Sequence, residues 1–309
     1  MRLGVVDVGS NTVHFVAVDA EPGGRPTPMN DWKTSLRLVE LQDKQGRISQ
    51  KGIKKLCRAV KDAKGLSEET ECGEFLPFAT SAIRSAKNSA EILDEVEEQT
   101  GVRLQIISGV EEARLTFLAA RRWYGWSAGR ILGIDIGGGS LEIASGSEEL
   151  PDAAFSLDLG ASRLTHEWFD TDPPERKRVN ELRDYIDEQL AGPAKELAKV
   201  GRPRVATGTS KTIRTLARLM GAAPSSAGPF VARELTAPGL RQLIAFLSRM
   251  SAADRAELEG VSSNRSHQIV AGALVAEATM RALHLDKIDI CPWALREGVI
   301  LRRIDKGLE

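Results

Sequence analysis

One short pattern occurs twice in the chain and restricts its fold more than any other feature. Residues 5–17 read VVDVGSNTVHFVA and residues 133–145 read GIDIGGGSLEIAS. Asp135 lies 128 positions after Asp7, and the two stretches align without a gap: Gly9 on Gly137, Thr12 on Ser140, Val13 on Leu141, Phe15 on Ile143, Val16 on Ala144. Each copy reads as strand, acid, small polar turn with glycine, strand. So long a period exceeds a solenoid repeat and suits a duplicated domain. The expectation is one hairpin per domain, the two facing each other across a cleft.

The rest of the chain fits two α/β units, and 309 residues is a suitable length for two domains. After the first hairpin, PGGRPTP (22–28) reads as a loop and residues 33–41 as a third strand. A helix is expected over 52–64, with Ile53, Leu56, Cys57 and Val60 on one face. FLPFATSAIRSA reads as a strand entering a polar turn. Asn88 and Glu91 have the spacing of a capping box for a helix over 89–99, which Gly101 ends. VRLQIIS is the next strand, and a helix follows over 109–124. In the second unit a charged helix is expected over 175–199. RPRVATGTSKTIRTLARLM reads as strand, small polar turn and helix, residues 223–229 as a loop, and 237–250 and 265–284 as helices. WALREGVILRRI is an amphipathic helix with Leu295, Val299 and Ile300 apolar. The domains are expected to be residues 1–124, joined by the last helix over 294–309, and residues 125–293.

The balance of 42 basic and 43 acidic side chains, a net charge of −1, gives no global field to recruit a polyanion, so nucleic acid is not an expected partner and any anion site must be local. No apolar run approaches about 20 residues, and MRLGVVDVGS lacks the basic flank and long apolar core of a leader. The expectation is a soluble cytoplasmic protein with no membrane partner. Cys57, Cys72 and Cys291 are odd in number and widely spaced, which fits neither a disulfide framework nor a zinc site. With only four histidines, oxygen ligands and a hard ion such as Mg²⁺ are the expected metal chemistry.

The turns carry the chemistry. Glycine lets successive main-chain N–H groups converge on one point, an anion nest suited to phosphate. Gly9, Ser10, Asn11 and Thr12 form one such turn, and Gly137, Gly138, Gly139 and Ser140 the other. The flanking acids would repel a phosphate unless a cation stood between them. Asp7, Asp135 and Glu142 are therefore candidate ligands for Mg²⁺.

The paired hairpins resemble the phosphate loops of the actin, Hsp70 and sugar-kinase superfold. ATSAIRSAKN (79–88), ISGVEEARLTF (107–117), SLDLGASRLT (156–165) and WALREGVIL (293–301) resemble, in order, the signature blocks of the exopolyphosphatase/pppGpp phosphatase family. The resemblance spans Val5 to Leu301. It implies two actin-like (ribonuclease H-like) α/β domains with a phosphate-binding cleft between them, and Mg²⁺-dependent hydrolytic release of the terminal phosphate of inorganic polyphosphate. It places the catalytic base on Glu112. The residues agree with that choice: Ser108 reads as an N-cap and Glu111 as its capping-box partner, leaving Glu112 free of backbone duty. Arg84 falls where the family grips phosphate, with Thr80 and Ser81 beside it. Arg265 falls on another family arginine, although His267 stands where an acid is usual. His14 occupies an Arg-or-His position of the family. TGTSKT (207–212) lines the cleft in relatives, so Lys211 is a candidate for a distal phosphate.

Longer relatives carry further C-terminal helical domains, and the chain stops soon after LREGVIL, so a preference for short polyphosphate is expected. The resemblance also implies a homodimer. The alternatives are hydrolysis of the 5′-phosphate of pppGpp, a non-catalytic polyphosphate or nucleotide sensor, and an actin-like ATP-dependent kinase. The intact Glu112 and both acidic hairpins speak against the sensor.

Overall fold

The computed structural model describes residues 1–306 apart from Pro22 and Lys44. Pro22 of the expected 22–28 loop and the last three residues of the expected 294–309 helix therefore lie outside the described residues. The chain divides into two compact units, Met1–Leu115 with Leu295–Glu309, and Thr116–Ala294.

In chain order the first part runs β1 (Arg2–Val8), β2 (Thr12–Asp19), β3 (Thr27–Ser35), α1 (Gln50–Glu69), β4 (Glu74–Ala79), α2 (Ser81–Arg84), α3 (Ser89–Thr100), β5 (Gln105–Ile106) and α4 (Gly109–Tyr124). The remainder runs β6 (Ile131–Ile136), β7 (Leu141–Gly146), β8 (Ala153–Leu157), α5 (Ala161–Trp168), α6 (Arg176–Val200), β9 (Val205–Gly208), α7 (Lys211–Leu219), β10 (Glu234–Thr236), α8 (Ala237–Leu247), α9 (Ala252–Ala256), α10 (Ile269–Ala282), β11 (Lys287–Ile290) and α11 (Leu295–Lys306).

The first unit holds a sheet of order β3-β2-β1-β4-β5 and the second a sheet of order β10-β11-β9-β6-β7-β8. In both, a hairpin pairs antiparallel and its first strand then pairs parallel with a later one, β1 with β4 and β6 with β9. β1 is apolar on both faces because both faces are covered. Val6 and Val8 pack with Ile53, Leu56 and Val60 of α1. Leu3 and Val5 pack on the other side with Leu115, Leu295, Val299 and Ile300, so α11 completes the core of the first unit. That packing is close: a Cβ on Gly298 would lie 2.0 Å from the Leu115 carbonyl oxygen. The second unit is built around α10, a mostly apolar helix buried from Ile269 to Met280.

Several local expectations are corrected. The third strand is 27–35 rather than 33–41, because β3 must reach back to pair Thr27 with Asp19. Leu38 and Val39 are buried in a 3₁₀ turn entered through Arg37, whose φ is 56°. Asn88 does not cap α3; its side-chain amide bonds the N–H and carbonyl of Ile48, at 2.9 and 3.0 Å. Glu91 is free of that box and pairs with Arg47 at 2.7 Å. The helix expected over 237–250 ends at Leu247, and the one over 265–284 begins as a 3₁₀ turn before α10. All three cysteines are free thiols. Among the described residues no helix is long and apolar enough to cross a membrane.

Candidate active site

The two hairpin turns are built alike. Gly9 N–H donates to the Thr12 carbonyl at 3.0 Å, and Gly137 N–H donates to the Ser140 carbonyl at 2.9 Å. In each unit the chain then returns after its third strand and donates to the turn from behind. Leu36 and Arg37 donate to the Asn11 carbonyl and Leu38 to that of Ser10. Ala161 donates to the Gly137 carbonyl, and Ser162 and Arg163 to that of Gly138. The Arg163 guanidinium takes the Gly139 carbonyl at 3.0 Å. With its carbonyls held on one side, a turn presents its N–H groups on the other, the geometry of an anion nest. Among the described residues the Gly138 and Gly139 N–H groups meet no acceptor.

The return in the second unit requires a glycine. A Cβ on Gly160 would lie 2.2 Å from the Gly139 carbonyl carbon and 2.3 Å from the Ser140 nitrogen. Backbone on both sides leaves nothing to yield. The SLDLGASRLT block is thus the strap that orients the second turn.

In the first unit, β4 runs parallel to β1 and delivers α2 against the first turn, where the Ser10 and Ser81 hydroxyls stand 3.1 Å apart. α2 ends on Arg84, whose Nη1 donates to the Ile107 carbonyl and to Glu112, each at 2.9 Å. Glu112 is in the first turn of α4, and only 13% of its side chain is exposed. The two residues expected as phosphate grip and base are therefore in direct contact. Ser108 accepts from the Glu111 N–H at 3.3 Å, as a cap should. The Glu111 carboxylate does not close the expected capping box; Arg302 of α11 holds it instead, so the two adjacent acids of α4 still have separate partners.

The acids of the hairpins lie in register. Asp135 stands directly opposite Glu142 on β6 and β7, and Asp7 directly opposite His14 on β1 and β2. Two carboxylates in such a position repel. Thr209, one residue past β9, donates to Asp135, and Ser156 donates to Glu142 at 2.9 Å. Glu142 is 3% exposed. In the first unit, burial pushes the Asp7 carboxyl above its usual range, with Glu297 adding to that rise and Arg296 and Lys33 opposing it. His14 bonds Asp31 at 2.7 Å. Among the described residues no group of three or more His, Cys, Asp or Glu side chains forms a metal cage. Mg²⁺ does not need one; one or two carboxylates, waters and phosphate oxygens suffice. Asp135 and Glu142 fit that donor set.

A basic group lies nearby in the second unit. Burial, then Arg214 and Arg265, push the Lys211 ammonium down, and burial, then Arg214, push Arg265 down while Asp135 opposes. Lys211 and Arg214 open onto a pocket of about 380 Å³. Arg255, 1% exposed, ties the segment carrying Arg265 by donating to the Ser266 and His267 carbonyls, and is itself held by Asp172. Sequence reasoning missed Ser156, Thr209, Gly160 as a strap, and Arg255. The first two could be found by extending the hairpin register one strand outward on each side; nothing local marks Arg255.

Two relatives are similar over almost the whole chain. Exopolyphosphatase 1 of Mycobacterium tuberculosis is 60% identical over 305 residues, covering 99% of this chain and 89% of that protein. Exopolyphosphatase 1 of Mycobacterium leprae is 58% identical, covering 99% and 90%. Among solved structures, an exopolyphosphatase from Cytophaga hutchinsonii has a TM-score of 0.89 at 23% identity, covering 99% of this chain and 98% of that one. The Ppx/GppA family member of Aquifex aeolicus has a TM-score of 0.80 at 25% identity, covering 100% and 99%. These structures share the two-sheet α/β fold described above. Residues 16–307 match the Ppx/GppA phosphatase family, and the chain belongs to it.

Proposed function

We propose that the protein is an exopolyphosphatase that releases the terminal phosphate of inorganic polyphosphate by Mg²⁺-dependent hydrolysis. The observation that carries this reading is the contact of Arg84 with Glu112 beside the Ser10–Ser81 turn: a planar cationic fork and an acid side by side, next to a donor loop. The 60% identity to Exopolyphosphatase 1 supports polyphosphate as the substrate.

In this reading the N–H groups of Ser10 to Thr12 and of Gly138 to Ser140 bind phosphate oxygens, while those of Gly9 and Gly137 close the two turns. Arg84 turns its fork to the terminal phosphoryl group, for which a bidentate guanidinium is suited. Glu112 orients a water and takes its proton as the water oxygen bonds to phosphorus. The bridging P–O bond breaks, orthophosphate leaves, and the chain is one unit shorter. Asp135 and Glu142 would hold Mg²⁺, which when bound supplies charge neutralisation for the phosphate oxygens. Asp7, with His14 rather than a carboxylate opposite it and with Lys33 and Arg296 nearby, has less support as a third ligand. Lys211, Arg214 and Arg265 offer charge to phosphates further along the chain. A cytoplasmic homodimer completes the reading, and sedimentation velocity tests the dimer.

The assay is phosphate release with Mg²⁺ from short polyphosphate, long polyphosphate, pppGpp and ATP, for wild type and Glu112→Gln. Polyphosphate is expected to be the best substrate, short chains ahead of long ones, and the variant to lose about 10²–10⁴-fold, as for a general base. Equal release by both proteins would remove Glu112 from the chemistry. Faster release from pppGpp would reassign the substrate, and faster release from long chains would reverse the length preference. No release from any of them would favour a sensor.

A further inference from the structure

The carboxylates of the second hairpin belong to a row of four side chains crossing four strands. Register pairs Asp135 with Glu142 and Glu142 with Ser156. On the other side the parallel pairing of β6 with β9 ends at Ile134 with Gly208, and Thr209 follows next to Asp135. Cross-strand partners share a face. The row therefore reads hydroxyl, carboxylate, carboxylate, hydroxyl, and each hydroxyl donates outward-in to the acid beside it. Thr209 is fully buried and Glu142 nearly so, so water does not readily replace these bonds.

We propose that Ser156 and Thr209 are positioning residues for the divalent cation: each hydroxyl fixes the orientation in which its carboxylate meets a shared ion. The inference rests on Asp135 and Glu142 being the ion's ligands. Three observations favour it over simple packing. Both donors are hydroxyls, each bonded to a carboxylate rather than to a backbone group alone. They flank the acids symmetrically, one from a parallel neighbour and one from an antiparallel one. The same row in the first unit, Phe78, Asp7, His14 and Lys33, has a single carboxylate and no hydroxyl. Where the second carboxylate is absent, the hydroxyls are absent too. Partners in the outer shell of a metal site fix ligand orientation, and losing one weakens metal binding about 10–100-fold.

The test is Mn²⁺ affinity of the full chain, read from the electron paramagnetic resonance signal of the free ion, with the metal-free melting temperature as the folding control. Ser156→Ala and Thr209→Val are expected to bind Mn²⁺ about 10–100-fold more weakly than wild type. Ser156→Thr and Thr209→Ser, which keep the donor, are expected to regain most of that affinity. Should Ser156→Ala not fold, the Thr209 pair carries the same comparison. Wild-type affinity in Ser156→Ala and Thr209→Val, with loss in Asp135→Asn, would overturn the positioning role and leave the ligand assignment standing. Equal loss in the hydroxyl-keeping and hydroxyl-lacking variants would also overturn it, since packing alone would then explain the effect. No Mn²⁺ binding by wild type, or unaltered binding by Asp135→Asn and Glu142→Gln, would sink the assignment and the inference together.

Discussion

The two hairpins share a backbone and differ in what crosses it. Both turns close with the same Gly-to-residue-four hydrogen bond, and both are strapped from behind by the chain that follows the third strand. Across the first, the row is Phe78, Asp7, His14 and Lys33; across the second, Thr209, Asp135, Glu142 and Ser156. The first row is mixed in charge, and its half-buried acid is pushed toward the neutral form. The second carries two opposed acids and two donors, an arrangement that a cation relieves. The straps differ as well. Leu36, Arg37 and Leu38 hold the first turn without a glycine, whereas Gly160 passes so near the second that no side chain fits. A duplicated element has thus kept the same turn geometry in both copies. In the proposed function the surroundings divide the chemistry, with Glu112 and Arg84 beside the first turn as base and grip and Asp135 and Glu142 on the second as cation ligands.

The largest effect that would sharpen this contrast is at the straps. Gly160→Ala forces backbone against backbone, with an overpacking cost of about 1–3 kcal/mol. The displaced turn is expected to lower kcat/KM by about 100-fold, the scale of a 1 Å misplacement. Leu36→Ala, in the first strap, keeps its N–H bond and leaves a cavity. It is expected to cost about 2–5 kcal/mol of stability in denaturant melts with turnover of the folded protein retained. Equal turnover losses in both would erase the distinction between the straps.

Next in size is the grip. Arg84→Lys replaces a planar fork with a point charge and gives up charged hydrogen bonds of about 1.5–3 kcal/mol. Steady-state kinetics should show a loss of roughly 10–100-fold in kcat/KM. An unchanged value would mean that Arg84 serves only to hold Glu112.

The smallest effect is at the basic group. Lys211 is pushed down by burial and by Arg214 and Arg265, so without an anion its charge disfavours the folded state. Its folded value lies below its unfolded one, so the unfolded chain binds more proton between them, and stability should rise with pH through that alkaline window. Lys211→Met should remove this rise. It should also raise the substrate-free melting temperature slightly, while KM for polyphosphate increases. A lower melting temperature and an unchanged KM would make Lys211 an ordinary surface lysine.

The repeat was legible because the hairpin register is local: Asp7 with His14 and Asp135 with Glu142 follow from counting along two adjacent strands. Helix α11 was legible from its apolar face of Leu295, Val299 and Ile300. The third strand was misplaced because Leu36, Leu38 and Val39 carry a strand's apolar character while serving a strap instead. Asn88 and Glu91 have the spacing of a capping box, yet Ile48, far away in sequence, claims the amide. Ser156 and Thr209 are invisible locally, since each acquires meaning only from a strand that pairs beside it. The pattern in these failures is the same: side chains whose partners are distant read as their local propensity until the topology is known.

The division of labour between the hairpins is tested most directly by measuring turnover and Mn²⁺ affinity on the same two variants, Glu112→Gln and Asp135→Asn. Glu112→Gln is predicted to lose phosphate release while binding Mn²⁺ as wild type does, and Asp135→Asn to lose both. If Glu112→Gln weakened Mn²⁺ binding as much as Asp135→Asn, or if Asp135→Asn bound the ion like wild type, base and cation would not be divided between the two copies, and the account would be wrong.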